Sequence, residues 1–107
     1  MRLTSFLQNR QLTIELSGEI DHHCAKNYIE AIHSKLEIYD PSVCVLNFQD
    51  VTFVDSSGIA VVINALRFIT RLGGKLKLIN LGNQPLKVFK TAGLDKLVDI
   101  EEDINEI

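Results

Sequence analysis

The residues with chemistry to offer fall in two short stretches. Asp55, Ser56, Ser57 and Gly58 form one, DSSG; Glu19, Asp21, His22, His23 and Cys24 lie in the other, GEIDHHC. A hydroxyl or carboxylate just ahead of a helix can accept hydrogen bonds from first-turn N–H groups that lack a partner inside the helix. The same positive helix end stabilises an anion, so a serine there can bind or carry a phosphate. Ser56 is therefore read as both a capping residue and a phosphate acceptor. Asp55 can orient the serine hydroxyl or cap the helix itself, with orientation preferred. Ser57 is the local hydrogen-bonding partner, and Gly58 gives either a tight turn or clear access to the backbone.

Two other chemistries could use the same residues. His22, His23 and Cys24 suggest a metal, but consecutive side chains at a helix start diverge and no second cluster completes a tetrahedral set. A serine hydrolase would need Ser56 as nucleophile and His22 or His23 as base. The G-x-S-x-G elbow is absent, and no oxyanion site can be argued. The sequence thus points to no metal, no cofactor and no enzyme. Asp95 and Lys96 read as surface residues.

Positioning the DSSG corner requires a strand before it and a helix after it. Ser57 to Leu72 is too long for a typical strand, although Ile59, Val61, Val62 and Ile63 favour one locally. Cap chemistry at one end, with Arg67, Arg71 and Gly73 at the other, predicts a helix. Its first two turns are apolar nearly all round, so they are either deeply buried or form a contact patch. Leu3 to Gln8 and Leu12 to Leu16 flank Asn9-Arg10 and predict a hairpin, the second strand alternating apolar and polar residues. Asp21 is a cap candidate for a helix with Ala25, Tyr28, Ile29, Ile32 and Leu36 on one stripe, stopping near Asp40-Pro41. The apolar run from Ser42 to Phe48 suits a central strand buried on both faces. Lys75 to Leu81 reads as a strand, and Pro85 to Gly93 as a helix with its closing glycine. Leu97 to Ile100 reads as an edge strand, and Glu101 to Ile107 as a terminal helical turn or two. A mixed α/β sheet with parallel central pairs follows. Whether the helices share one side is left open by the element order.

The 107 residues make one domain, residues 1–107. A 46% hydrophobic and 23% charged composition is that of a folded globular chain. A net charge of −3 argues against general nucleic-acid binding. The acidic residues concentrate before Ser56, which suits either a docking surface for a basic partner or an ordinary solvated face. Cys24 and Cys44 are too few for a disulfide framework, and no stretch has the length of a signal core or membrane span. The expected location is the cytoplasm, free of membrane.

GEIDHH after a strand, LNFQDVTFVDSSG, GGKLKLINL and FKTAGLDKLV together resemble the STAS-domain anti-anti-sigma factors, particularly the sporulation type. The resemblance runs from about Leu12 to Val98. It implies a STAS-like mixed sheet of four to five strands with an opening hairpin and helices packed mainly on one side. It also implies a regulatory cycle in which the unphosphorylated protein binds an anti-sigma factor that is a serine kinase carrying ATP or ADP, releasing the sigma factor. Phosphorylation of the residue matching Ser56 ends that binding, and a serine phosphatase reverses it. By the same resemblance Glu19, Asp21, Asp55, Ser57 and Gly58 contact the partner. Cys24 stands where a small hydroxyl residue is common and Ala60 where glycine often occurs; the last helix is expected to be abbreviated. The free protein is expected to be a monomer. The alternative is a STAS sensor or scaffold module, either binding a nucleotide or phosphorylated ligand at the Ser56 helix N-terminus or phosphorylated by a kinase that is not an anti-sigma factor.

Overall fold

The two opening segments, the second of them alternating apolar and polar residues, form the expected hairpin. In the computed structural model, which describes residues 2–101, β1 (Arg2–Gln8) pairs antiparallel with β2 (Gln11–Ile20). Asn9 and Arg10 join them with φ of 53° and 64°. Two left-handed residues make the turn whose twist matches its strands.

β2 does not stop at Leu16, as the loss of alternation suggested. It continues through Ser17, Gly18 and Glu19 to Ile20, with register shifts between Glu15 and Ser17 and between Gly18 and Glu19. Gly18 takes φ 81° there, an angle that side chains with a Cβ rarely adopt. The detour returns Ile20 to the core, where it is buried. Tyr28 holds the same segment by donating its hydroxyl to the Ser17 carbonyl.

Helix α1 (Ala25–Tyr39) buries Ala25, Tyr28, Ile32 and Leu36 of the predicted stripe and leaves its fifth member, Ile29, half-buried. It ends where Asp40 adopts φ 44° ahead of Pro41. β3 (Val43–Val54) is far longer than its apolar run, continuing past Phe48 to bury Val51 and Val54. Helix α2 (Ser56–Arg71) and β4 (Lys75–Ile79) follow, joined through Gly73 at φ 84°. Helix α3 (Asn83–Thr91), a short 3-10 turn (Leu94–Lys96) and β5 (Asp99–Glu101) complete the described chain. The helical turn expected over Glu101 to Ile107 lies outside the described residues, save Glu101, which is in β5.

The five strands lie in chain order, and β2 to β5 are mutually parallel. Each crossover therefore steps in one direction. Right-handed connections then put all three helices on one face, which settles what element order left open. Leu12, Ile14 and Leu16 of β2, Cys44, Leu46 and Phe48 of β3, and Leu76 and Leu78 of β4 form the floor of the core. Val61, Val62, Ala65 and Ile69 of α2 join the α1 stripe above it. Phe89 of α3 meets Phe48 edge-on at 5.6 Å. Each fully buried Leu, Ile or Phe contributes about 1.5–3 kcal/mol of transfer free energy.

β3 is thus covered by helices on one face only, not on both as its apolar run suggested. On the other face Val45 is still buried, in register between Thr13 and Lys77, while Asn47 is half-exposed. That face carries polar pairs, Thr4 to Glu15 at 2.8 Å and Lys77 to Glu101 at 3.5 Å. The first turns of α2 divide in the same way. Gly58, Val61 and Val62 are buried, Ile59 and Ile63 half-buried, and Ala60 exposed. No helix among the described residues is long and apolar enough to cross a membrane.

Candidate functional site

The two polar stretches meet where β2 and β3 end. Ile20 pairs with Val54 and Glu19 with Phe53. The Asp55 N–H donates to the Ile20 carbonyl at 3.2 Å, so the corner begins as an extension of the ladder. Carboxyl ends of parallel strands are where α/β sheets place their ligands.

Asp55 is the N-cap of α2. Its backbone is extended (φ −110°, ψ −166°), and its Oδ1 accepts from the Ser57 N–H at 2.7 Å. Its carbonyl accepts from the Gly58 N–H at 2.9 Å. This corrects two readings at once. Asp55 spends its carboxylate on the helix rather than on the serine hydroxyl, and Ser56 is the first helical residue rather than the cap. The physical reason is reach: an aspartate one residue ahead of the helix satisfies the second N–H, which a side chain already within the helix cannot do. Ser56 is left exposed, and its hydroxyl has no hydrogen-bond partner among the described residues. Ser57 is half-buried and contributes its N–H to the cap.

Gly58 is buried for packing rather than for access. A Cβ there would lie 3.0 Å from Val54 Cβ and 3.7 Å from Ile20 Cγ2. Its absence lets the first turn of α2 rest on the ends of β2 and β3.

Across the corner, Asp21 accepts from the N–H groups of His23 at 3.0 Å and Cys24 at 3.3 Å. It therefore caps the turn that leads into α1 rather than α1 itself, whose N-cap position is Cys24. Partial desolvation pushes the Asp21 carboxyl up. The Cys24 thiol, those two N–H groups and the nearby His23 outweigh it and hold the carboxyl below its ordinary value. The Cys24 thiol also donates to the Glu19 carbonyl at 3.1 Å, so the sulfur occupies the bonding position a hydroxyl would take. Glu19 is exposed at the penultimate position of β2. His22 and His23 lie with ring centroids 4.0 Å apart, and no group of three His, Cys, Asp or Glu among the described residues is placed to hold a metal ion.

Sequence reasoning missed the residue that fixes the corner from the far side. Gln84, in the first turn of α3, accepts from the Val54 N–H at 2.9 Å and donates to the Val54 carbonyl at 2.8 Å. Its amide acts as one more strand residue at the end of β3. Nothing in a lone polar residue thirty positions away signals that bond. Two other features were also missed. Phe53 is 41% exposed beside Glu19. An open groove of about 360 Å³ runs between α2 and α3, lined by Asp55, Ser56, Ile59, Lys87, Val88, Thr91 and Ala92.

Comparison with known proteins gives this geometry its context. The STAS domain family model matches residues 6–107. An anti-sigma-B factor antagonist of Bacillus subtilis (strain 168) is 30% identical over 90 residues, covering 83% of this chain and 80% of that protein. An anti-sigma F factor antagonist of Lysinibacillus sphaericus is 32% identical over 87 residues, covering 78% and 71%. The structure of the anti-sigma factor antagonist SpoIIAA in its unphosphorylated form matches with a TM-score of 0.75 at 26% identity, covering 98% of this chain and 90% of that one. Antagonists named for two different anti-sigma factors match comparably, so the resemblance holds for the antagonists as a group and does not single out the sporulation type. On the family model and these relatives together, the chain belongs to the STAS-domain family and stands among its anti-sigma factor antagonists.

Proposed function

We propose that this chain is a phosphorylation-controlled anti-sigma factor antagonist, a substrate of a kinase rather than an enzyme, acting in the cytoplasm. Its unmodified form binds an anti-sigma factor that is also a serine kinase carrying ATP or ADP. The sigma factor is thereby released. Phosphorylation of Ser56 ends the interaction, and a serine phosphatase restores it. The docking surface is the paired corner of Glu19, Asp21, Asp55 and Ser57, with Gly58 buried beneath it to seat the first turn of α2.

One observation carries this reading. Ser56 is exposed at the first position of α2 while Asp55 performs the capping, so its hydroxyl is open to an incoming phosphoryl group. A phosphate there would meet the positive end of the helix, worth about 0.3–1 kcal/mol where solvent screens it. It adds about −1.5 to −2 charges to a surface that already carries Glu19, Asp21 and Asp55. The modification is therefore compatible with the fold but hostile to a partner whose bound nucleotide is itself anionic. That the SpoIIAA relative is described in an unphosphorylated form is consistent with such a cycle. Direct capture of a nucleotide by the corner is less well supported, because Ile59, Val88 and Ala92 make much of the adjoining groove apolar.

The test is incubation with the cognate kinase and ATP, followed by mapping of the modified peptide. Phosphate is expected on Ser56 and absent from Ser56→Ala. Phosphate on Ser57, or undiminished incorporation in Ser56→Ala, would overturn the assignment.

A further inference from the structure

Among the described residues the sheet ends in two edge strands, β1 and β5, and the sequence treats them differently. β5 is three residues long and carries Asp99 and Glu101, so it is short and charged. Both devices discourage pairing with another chain. β1 has neither. It spans seven residues, pairs with β2 without a register shift, and has no proline and no charged residue from Leu3 to Gln8. Phe6 is 54% and Leu7 46% exposed on this strand.

The phase of the hairpin determines which backbone groups face outward. In a hairpin closed by a two-residue turn, the flanking pair exchanges both of its hydrogen bonds, here Gln8 with Gln11. Counting back in steps of two, Phe6 and Thr4 also bond inward to Thr13 and Glu15. The N–H and C=O groups of Leu3, Ser5 and Leu7 therefore point away from the sheet.

We propose that β1 pairs antiparallel with β1 of a second copy of this chain, about a two-fold axis through Ser5. Ser5 then faces Ser5, and Leu3 of each copy faces Leu7 of the other. All the outward groups from Leu3 to Leu7 are satisfied, in about six inter-copy hydrogen bonds. Side chains agree with the backbone. Leu3 and Leu7 share the helix-covered face with Leu16 and Leu12, their partners in β2, so the Leu3–Leu7 pairs are apolar cross-strand pairs on that face. On the open face Phe6 lies opposite Thr4, and no like charges are opposed. An arbitrary partner strand would have to supply this order, whereas a second copy has it by symmetry.

The two-fold reverses strand direction and keeps all helices on one side, giving a continuous ten-stranded sheet. Each Ser56 corner lies at the end of β3, two strands from the seam, and stays uncovered. This departs from the monomer expected on sequence grounds and is independent of the phosphorylation reading. A single strand pairing is a small interface, so the dimer belongs to the transient class, with dissociation constants of roughly 10 µM to 1 mM.

Sedimentation of the full chain over a concentration series tests the pairing, together with amide exchange at its two extremes. A reversible dimer is expected, with exchange slowing at high concentration for Leu3, Ser5 and Leu7 but not for Thr4 and Phe6. Ser5→Pro removes an outward N–H without touching the β1–β2 ladder. It should weaken the dimer at least about tenfold. The exchange pattern needs no variant, so it decides the matter even if Ser5→Pro fails to fold. A monomer at every concentration, a dimer without the alternating pattern, or a dimer unchanged in folded Ser5→Pro would each overturn the proposal.

Discussion

Replacing Gln84 isolates the contact that holds the corner from α3. Its amide makes two hydrogen bonds to Val54, at 2.9 and 2.8 Å, and Val54 is fully buried. A hydrogen bond of this kind contributes a net 0.5–1.5 kcal/mol, so Gln84→Ala should cost about 2 kcal/mol. Gln84 itself is only half-buried, so water recovers part of the loss, which keeps the figure near the middle of the range. For a domain of this size that is a fall in Tm of about 10 °C. Gln84→Glu sharpens the test. The introduced carboxyl still accepts from the Val54 N–H, but when ionised it sets an oxygen against the Val54 carbonyl. Only its protonated form can donate there, so folding raises its pKa above the ordinary value of about 4.3. A raised folded pKa contributes stability that is complete below the unfolded value and is lost as pH rises through the folded one. Relative to wild type, Gln84→Glu should therefore be nearly neutral at about pH 4 and clearly destabilised at pH 7. Denaturant unfolding of the three proteins at both pH values reads this directly. A loss below about 0.5 kcal/mol for Gln84→Ala, or no pH-dependent deficit for Gln84→Glu, would refute the reasoning.

Three smaller perturbations follow. Gly58→Ala gains up to about 1 kcal/mol of helix propensity but sets its Cβ 3.0 Å from Val54 Cβ, an overpacking that costs about 1–3 kcal/mol, so a net loss near 1 kcal/mol is expected in thermal unfolding. The lowered pKa of Asp21 means that its contribution is present above 3.8 and lost as pH falls through the folded value. The stability gap between wild type and Asp21→Asn should accordingly close in acid denaturation carried below that point. Burial pushes the Cys44 thiol up to about 12, whereas Cys24 is half-buried near the surface. A thiol reagent at neutral pH should modify Cys24 alone in the folded protein and both cysteines after unfolding.

Much of the scaffold was legible because single local rules governed it. The Ala25 to Leu36 stripe, the polar Asn9-Arg10 turn and the glycine after α2 each announce an element without reference to the rest of the chain. The two strands that build the site were not legible to their ends. Ser17 to Glu19 in β2, and Gln49, Asp50 and Thr52 in β3, are polar. Ser17 pairs with Asp50 and Glu19 with Phe53, so pairing rather than burial holds this stretch extended, and Gln49 and Thr52 fall where the register shifts. The capping assignment turned on one residue of offset. Asp55 and Ser56 are both good caps, and only the backbone geometry decides which stands outside the helix. The Gln84 bond and the groove beside Ser56 depend on where α3 docks, a tertiary fact with no local signature.

The central claim is that one phosphate on Ser56 governs partner binding without undoing the fold. The most direct measurement is the affinity of the unmodified and the phosphorylated protein for the anti-sigma kinase, with thermal unfolding of both forms in parallel. Affinity should fall at least tenfold on phosphorylation, about 1.4 kcal/mol, while Tm holds. Undiminished binding by the phosphorylated form, or a large drop in its Tm, would contradict the account.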